Sequence, residues 1–342
     1  MNQAIARANP SSQALSAIQL YFSRQAELNG VDAALVSGGQ SFATTPTVQQ
    51  TLHEAVQESS DFLRDHVNFE LVNDLSGQKI YIDDDGLVIT STTDVDRVPL
   101  DPSGLTDTGF QCRTNDFDIL IPWSKLNQWS KFPDFQVRLT NFLLRRQALD
   151  HIKIGFNGTS HAAKSNRVTN PLGEDVNIGW LETIRVEAPA HAKATGNTFG
   201  DAEVFKNIDA MAFSAKNELL APVHRERGDL VVILGSALLN DKYFNIMNKN
   251  DIDPSEFAHR DTLVSQKRVG AMEAINVPHF PADTMLITPR RNLSVYVQEA
   301  SRRGKFEEQH ASRGYVNWFT HNVDYVVEDL TAVALVESIT EV

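Results

Sequence analysis

Between residues 131 and 179 the apolar positions fall into a helical rhythm. Phe135, Leu139, Phe142, Leu149 and Ile152 recur at steps of three or four residues, or multiples of them. That spacing puts them on one face of a helix of about six turns. The helix is predicted to run without a break from about Phe132 to Ile154. Pro133 suits its first turn, where the missing N–H would have no partner in any case. Arg138, Arg145, Arg146 and Lys153 lie off the stripe. Gly155 and the Asn157-Gly158 pair are expected to stop the helix. Read alone, the stretch is a long amphipathic helix with a solvated basic face.

The rest of the chain is read around it. Leu15, Ile18, Tyr21, Phe22 and Leu28 sketch a modest amphipathic helix within residues 1–42, a segment that looks separate from the body of the chain. Ser37-Gly38-Gly39-Gln40-Ser41 reads as an accessible linker. Residues 47–69 form a second helical stretch through Leu52, Val56, Phe62 and Leu63. Residues 79–82 and 87–90 flank Asp83-Asp84-Asp85-Gly86, a strand–turn–strand pattern that predicts a hairpin. Residues 90–109 are rich in Thr, Asp, Pro and Gly and read as a long extended loop. Residues 117–121 return as a strand. Beyond the long helix, residues 188–200 read as a polar loop. Helical spacing resumes over 208–220. Residues 230–234 are a continuous apolar run, hence a buried strand, and Gly235-Ser236 turns into a helix over 237–247. Strands are expected at 285–287 and 293–297 around Pro289, and one or two more across 324–338. The sum is an α+β chain with no internal repeat.

Composition narrows the class. The 342 residues are 42% apolar and 22% charged, enough for a real core in one large or two modest domains. The net charge of −13 disfavours a protein built to neutralise nucleic-acid phosphates. The single cysteine, Cys112, cannot close an internal disulfide, which fits a reducing cytoplasm. No run of about 18 apolar residues marks a membrane span, and the N-terminal residues lack the apolar core of a secretory signal.

Candidate chemistry is sparse. A calcium loop at Asp83-Asp84-Asp85-Gly86 fails on ligand spacing and on the missing distal glutamate. The strand–Gly-Ser–helix at 230–239 lacks the glycine spacing of a dinucleotide loop, and no phosphate-binding Gly-Lys loop occurs. The ten histidines form no zinc pattern. His259, His279, His310 and His321 are scattered, and surface or ordinary polar roles are expected for them. Ser160 and Ser236 lack the sequence context of a nucleophile. No catalytic, cofactor or metal residue is therefore assigned, and no cofactor is expected.

Seven words of sequence carry a resemblance: FPDFQVR, RRQALDHIKIGFNGTS, NPLGEDVNIGWL, DLVVILGSALLNDKYF, SQKRVG, FPADTMLIT and NVDYVVEDL. Ungapped and in fixed order, they closely resemble the major capsid proteins of peduovirus-like, P2-type tailed phages, from about Phe42 to the C-terminus. The resemblance implies a Hong Kong 97-type fold. The long helix would be its spine, with an N-terminal arm over 43–76 and a projecting hairpin loop over 77–115. A peripheral domain would span 116–205 and 298–342, and an axial domain 206–297. It also implies self-assembly into hexamers and pentamers, as an icosahedral shell around double-stranded DNA held without sequence-specific binding. A scaffold and maturation protease and a portal protein are the implied partners, and no membrane is involved. The location implied is the virion capsid, assembled in the bacterial cytoplasm. Residues 1–42 would be an assembly segment removed by proteolysis, the cut falling between Phe42 and Ala43. Two other readings stay open at this stage: an α/β enzyme or small-molecule binder with an unrecognised pocket, and an encapsulin-like compartment.

Charge suggests how one subunit meets the next. Residues 83–107 hold seven acids and one base, whereas residues 131–167 hold seven bases and two acids. The first stretch lies in the implied projecting loop and the second in the spine and the turn after it. Asp94 and Asp96 on one side, and Arg138, Arg145, Arg146 and Lys153 on the other, are the candidate inter-subunit contacts. The alternative is that both are solvated faces of one subunit.

Overall fold

The computed structural model describes residues 9–82, 89, 103–132, 134–200, 202–238 and 268–342. The chain opens with α1 (Ser12–Asn29), α2 (Ala33–Ser37), a short β1 (Phe42–Ala43), α3 (Pro46–Glu58) and α4 (Asp61–His66). Strands β2 (Val67–Val72), β3 (Ser76–Ile82), β4 (Ser103–Gln111), β5 (Arg113–Asp116) and β6 (Ile119–Pro122) follow. Then come α5 (Trp123–Trp129), α6 (Phe135–Asn157), α7 (Trp180–Glu187), β7 (Ala192–Lys193), β8 (Thr198–Phe199) and α8 (Ile208–Leu219). The C-terminal third is β9 (Leu230–Leu234), β10 (Arg268–Val269), β11 (Met272–Asn276), β12 (Met285–Pro289), β13 (Leu293–Gln298), β14 (Arg303–Gln309), β15 (Gly314–Val327), β16 (Ala334–Val336) and β17 (Thr340–Glu341).

Two sheets organise these elements. The larger runs β1-β14-β15-β13-β2, with β5 and β6 paired along the other side of β15. The smaller runs β10-β11-β9-β12-β16-β7. The sequence reaches this by local rules. Ser11 caps α1 by accepting from the Ala14 N–H, and Gly30 ends it at φ 64°, a left-handed conformation that glycine adopts without penalty. Proline opens α3, and Asn207 caps α8. The apolar run of β9 is buried at every position, as a strand between two sheet neighbours requires.

Helix α6 is 23 residues long, hence about 35 Å, and it bridges two cores. Its N-terminal half places Phe135, Leu139 and Leu143 in a cluster with α1, α5, β14 and β15. Its C-terminal half places Ala148, Ile152 and Phe156 in a second cluster with Trp180, Ile184 and the sheet strands. The buried face therefore rotates along the helix. That is why Phe142, counted in a single stripe from the sequence, stands half-exposed, while Gln147 and His151 are buried where the face turns. Gly155 does not stop the helix. It is a notch inside it, where a Cβ would fall within 2.7 Å of three carbons of the Trp180 ring. The stop comes at Gly158. Pro133 lies outside the described residues.

Other expectations are corrected. The 47–69 stretch is not one helix: it breaks at Ser59-Ser60, and from Val67 the chain becomes β2, in parallel register with β13. The hairpin exists, but β3 pairs with β4, as Ile80 with Leu105 and Tyr81 with Gly104. Its two strands thus enclose residues 83–102, and residues 103–109, read as loop, are strand. The residues expected as its return strand, 87–90, fall almost wholly outside the described set. β15 starts ten residues before the predicted strand, and α5 and β14 were not foreseen. The helix over 237–247 lies mostly outside the described residues. Residues 12–43 do not stand apart: Ile18, Tyr21, Phe22 and Phe42 are buried against the body, and the Asn317 side-chain N–H donates to the Tyr21 hydroxyl at 2.8 Å. Leu15, placed on the apolar face by the sequence, is exposed.

Candidate functional site

Among the described residues no group of three or more His, Cys, Asp or Glu side chains could hold a metal. Cys112 is buried, and desolvation, with Asp324 nearby, pushes its thiol up to about 12. Ser160 and Ser236 are exposed, with no histidine hydrogen-bonded to either among the described residues. His259 lies outside those residues. His279 sits in a turn at φ 64°, and His310 lies edge-on to Trp123. Of the surface and ordinary polar roles expected, His321 does not take the surface one: it is buried in the larger sheet beside His53 and His151. No helix among the described residues is long and apolar enough to cross a membrane.

What the chain offers instead is surface. On α6, Arg138 pairs with Asp134 at 2.7 Å, Arg146 with Asp150 at 3.4 Å, and Lys153 with Asp150 at 3.5 Å. Arg145 is exposed and has no ion-pair partner among the described residues. Of the four basic candidates it alone keeps its whole charge for a neighbour, and Lys153 is largely covered, with 13% of its side chain exposed. Asp94 and Asp96 lie outside the described residues. The ribbon whose strands flank them in sequence, β3–β4, pairs with no other strand among those described. Its base is closed by the Cys112 N–H donating to the Leu75 carbonyl, and the Gln111 N–H donating to Asp324 of β15 ties it to the body.

At the other candidate position, Phe42 and Ala43 form β1 on the edge of the larger sheet, pairing with Gly304 and Arg303. The Phe42 ring stacks on Phe306 at 5.9 Å and covers Gly304, where any Cβ would collide with it. The preceding Ser37–Gln40 turn is exposed yet hydrogen-bonded, Gln40 N–H to Leu35 and Gly39 N–H to Val36.

One surface escaped the sequence reading. Trp129, Phe132, Phe135, Arg138 and Phe142 line an open groove of about 200 Å³. Phe132 and Phe142 are 50% and 52% exposed, and the Arg138 guanidinium lies over the Phe132 ring at 5.2 Å. The signal was present as two aromatic residues near one end of a helix with basic neighbours. Assigning Phe142 to the buried stripe concealed it.

These features suit a molecule that works through contacts with other chains rather than through a pocket. Known proteins agree. Residues 17–339 match the family described as phage major capsid protein, P2 family. The chain is 43% identical over 334 residues to the capsid protein of Escherichia phage P2, covering 93% of this chain and 92% of that protein. It is 37% identical over 332 residues to the major capsid protein of Serratia phage KSP20, covering 94% of each. Among solved structures it resembles a chain of the satellite phage P4 procapsid that includes the size determination (Sid) protein, with TM-score 0.79, 37% identity, and coverage of 94% of this chain and 98% of that one. A capsid chain of an empty GTA particle, at TM-score 0.51 and 12% identity, covering 82% of this chain and 90% of that one, shares the fold alone. The chain belongs to the P2 family of phage major capsid proteins: a structural subunit of the virion shell with the Hong Kong 97-type fold, not an enzyme.

Proposed function

We propose that this subunit closes into hexamers and pentamers that form an icosahedral head around double-stranded DNA, with a scaffold and maturation protease and a portal protein as assembly partners. The observation that supports this most is the match to phage capsid proteins along nearly the whole chain. A β-ribbon paired only with itself among the described residues and a 23-residue helix suit elements that reach across copies. Co-expression with the scaffold and protease, followed by electron microscopy, is the test. Closed shells are expected. Small discrete oligomers and no shells would overturn the reading.

Two details go with this reading. Residues 1–42 are an assembly segment removed at Phe42–Ala43. Because Phe42 is buried in a paired strand, β1 has to lift before a protease can bind that bond. Intact mass of the subunit from mature particles should start at Ala43, and a chain starting at Met1 would sink the idea. The second detail is that the acidic loop carrying Asp94 and Asp96 docks over the spine near Arg145 and Arg146 of a neighbour. Complementary charge there steers encounter and register more than it adds affinity. Assembly should slow as salt rises, since exposed charges act over only about 8 Å at physiological ionic strength. Reversing Asp94 and Asp96 to Lys, or Arg145 and Arg146 to Glu, should impair assembly, and combining the reversals should restore part of it. A combined variant no better than the worse parent, with each monomer still folded, would show that the two surfaces do not meet.

A further inference from the structure

A cluster of basic side chains is buried where α3 and α6 cover the larger sheet. His53 comes from α3, His151 from α6 and His321 from β15, and all three are buried. The His321 ring centroid lies 5.9 Å from that of His53 and 6.0 Å from that of His151. The ladder sets Arg303 opposite Thr320 and Asn115 opposite His321, so Arg302, His321 and Asn115 form one row across the sheet. Arg302 is buried as well, and its guanidinium lies over the Phe319 ring at 4.8 Å. Among the described residues Arg302 has no ion-pair partner. Its Nε and Nη1, both ring nitrogens of His53 and of His321, and Nε2 of His151 have no protein hydrogen-bond partner. Most buried polar groups in folded proteins are paired, and a buried charge usually has a counter-charge.

The surroundings supply none. His151 engages the Tyr325 hydroxyl at 3.0 Å. Phe69 of β2 packs against both His53 and His151. Asp150, beside His151 on α6, is already paired with Arg146 and Lys153. Glu54 of α3 and Glu70 of β2 are exposed and, with His53, line a cavity of about 40 Å³, but neither is hydrogen-bonded to either His53 ring nitrogen. Burial first, and then the neighbouring Arg302 and histidines, hold His53 and His321 well below the ordinary imidazole range. Helix α3 itself is held weakly by apolar contact. It buries only Gln49, His53 and Val56, whereas α1 buries Ile18, Tyr21 and Phe22.

We propose that α3 is a releasable strap, seated on a buried basic cluster without a counter-charge, and that acidification lifts it while the sheet beneath stays folded. A histidine kept neutral under the seated helix and titrating normally when uncovered makes opening about tenfold more favourable per pH unit below about 6.5. With His53 and His321 both uncovered, opening gains about a hundredfold between pH 7.5 and 5.5. The helix then comes free locally, which permits the adjoining chain to be repositioned without unfolding the subunit.

Hydrogen exchange read by mass spectrometry on the full-length chain tests this, with peptides from α3 and α8 compared at pH 7.5, 6.5 and 5.5 after correction for intrinsic rates. Protection of α3 should fall about a hundredfold from pH 7.5 to 5.5, with α8, packed in a different core, staying the more protected of the two at every pH. His53→Gln or His321→Gln should each reduce the dependence to about tenfold, and the double variant should abolish it. Constant α3 protection in the unmodified chain, or α3 protection no lower than that of α8 at each pH, would overturn the proposal even if no variant folds. So would a folded double variant that keeps the full pH dependence.

Discussion

Gly155→Ala sets two effects of opposite sign against each other. In a helix interior, alanine is favoured over glycine by about 1 kcal/mol. The new Cβ, however, would lie 2.6 Å from Cε3 and 2.7 Å from Cη2 of Trp180, where carbon atoms pack at about 3.5–4.0 Å. The ring has nowhere to go. It is fully buried, wedged edge-to-face between Phe156 at 5.1 Å and Tyr325 at 5.5 Å, and its Nε1–H donates to the Ser294 carbonyl at 2.9 Å. Overpacking a core costs about 1–3 kcal/mol, and a shift that breaks the indole hydrogen bond adds about 1 kcal/mol. The expected net is a loss of about 1–3 kcal/mol, once the helix gain is set against these costs. Urea unfolding of the unassembled subunit, followed by tryptophan fluorescence, measures it. Gly228→Ala, where a Cβ meets nothing within 4 Å, should be close to neutral. The clashing carbons all belong to the six-membered ring of the indole, so Gly155→Ala made in a Trp180→Phe background should cost much less than in the parent. A neutral or stabilising Gly155→Ala, or an equal cost in both backgrounds, would refute the notch reading.

Three further outcomes are expected. Leu143→Pro, in the middle of α6, removes a helix hydrogen bond and adds a ring clash, costing about 3 kcal/mol or more; soluble particles at normal yield would contradict a continuous spine. Cys112, buried with its thiol pushed up to about 12, should resist a thiol reagent at pH 8 in the folded chain and react at once in urea. Burial, with Arg302 nearby, depresses His151 to about 4, so the unfolded chain binds more protons below the ordinary imidazole value near 6.5. Stability is therefore whole above pH 6.5 and lost as pH falls toward 4, by about 3 kcal/mol from this group; a urea midpoint that is flat between pH 7 and 4.5 would contradict this.

The sequence announced the long helix because three- and four-residue spacing is local. It did not announce that the buried face turns along that helix. That depends on α1 and α5 packing against one half and Trp180 against the other, which a single stripe cannot express. Gly155 illustrates the same limit: a stop signal by composition, a packing notch once a distant indole is known. β14 and the first half of β15 were missed because residues such as Glu307, Glu308 and Asn317 interrupt apolar alternation, yet the backbone ladder pairs them regardless. The basic cluster was illegible for a different reason. His53, His151, Arg302 and His321 are spread over almost 270 residues, and only the sheet register and two covering helices bring them together. The family, by contrast, was legible from short ungapped words, which preserve identity without any knowledge of contacts.

The division of α6 between two cores also decides what removing the N-terminal segment would do. The cluster around Trp180 draws all its residues from beyond Ala43. The cluster at the other end draws seven of its sixteen from residues up to Phe42, among them Ile18, Tyr21, Phe22 and Phe42. Burying four large apolar side chains contributes about 6–12 kcal/mol before the cost of ordering the segment, comparable with the whole stability of a typical domain. A chain beginning at Ala43 should therefore hold its spine firmly at one end only. Hydrogen exchange on that unassembled chain should show residues 135–146 losing protection, residues 148–157 keeping it, and the exposed Phe306, Tyr315 and Phe319 should raise the binding of an apolar dye. Uniform protection along α6 in the shortened chain, with no rise in dye binding, would mean that the N-terminal helix is not what secures that end of the spine.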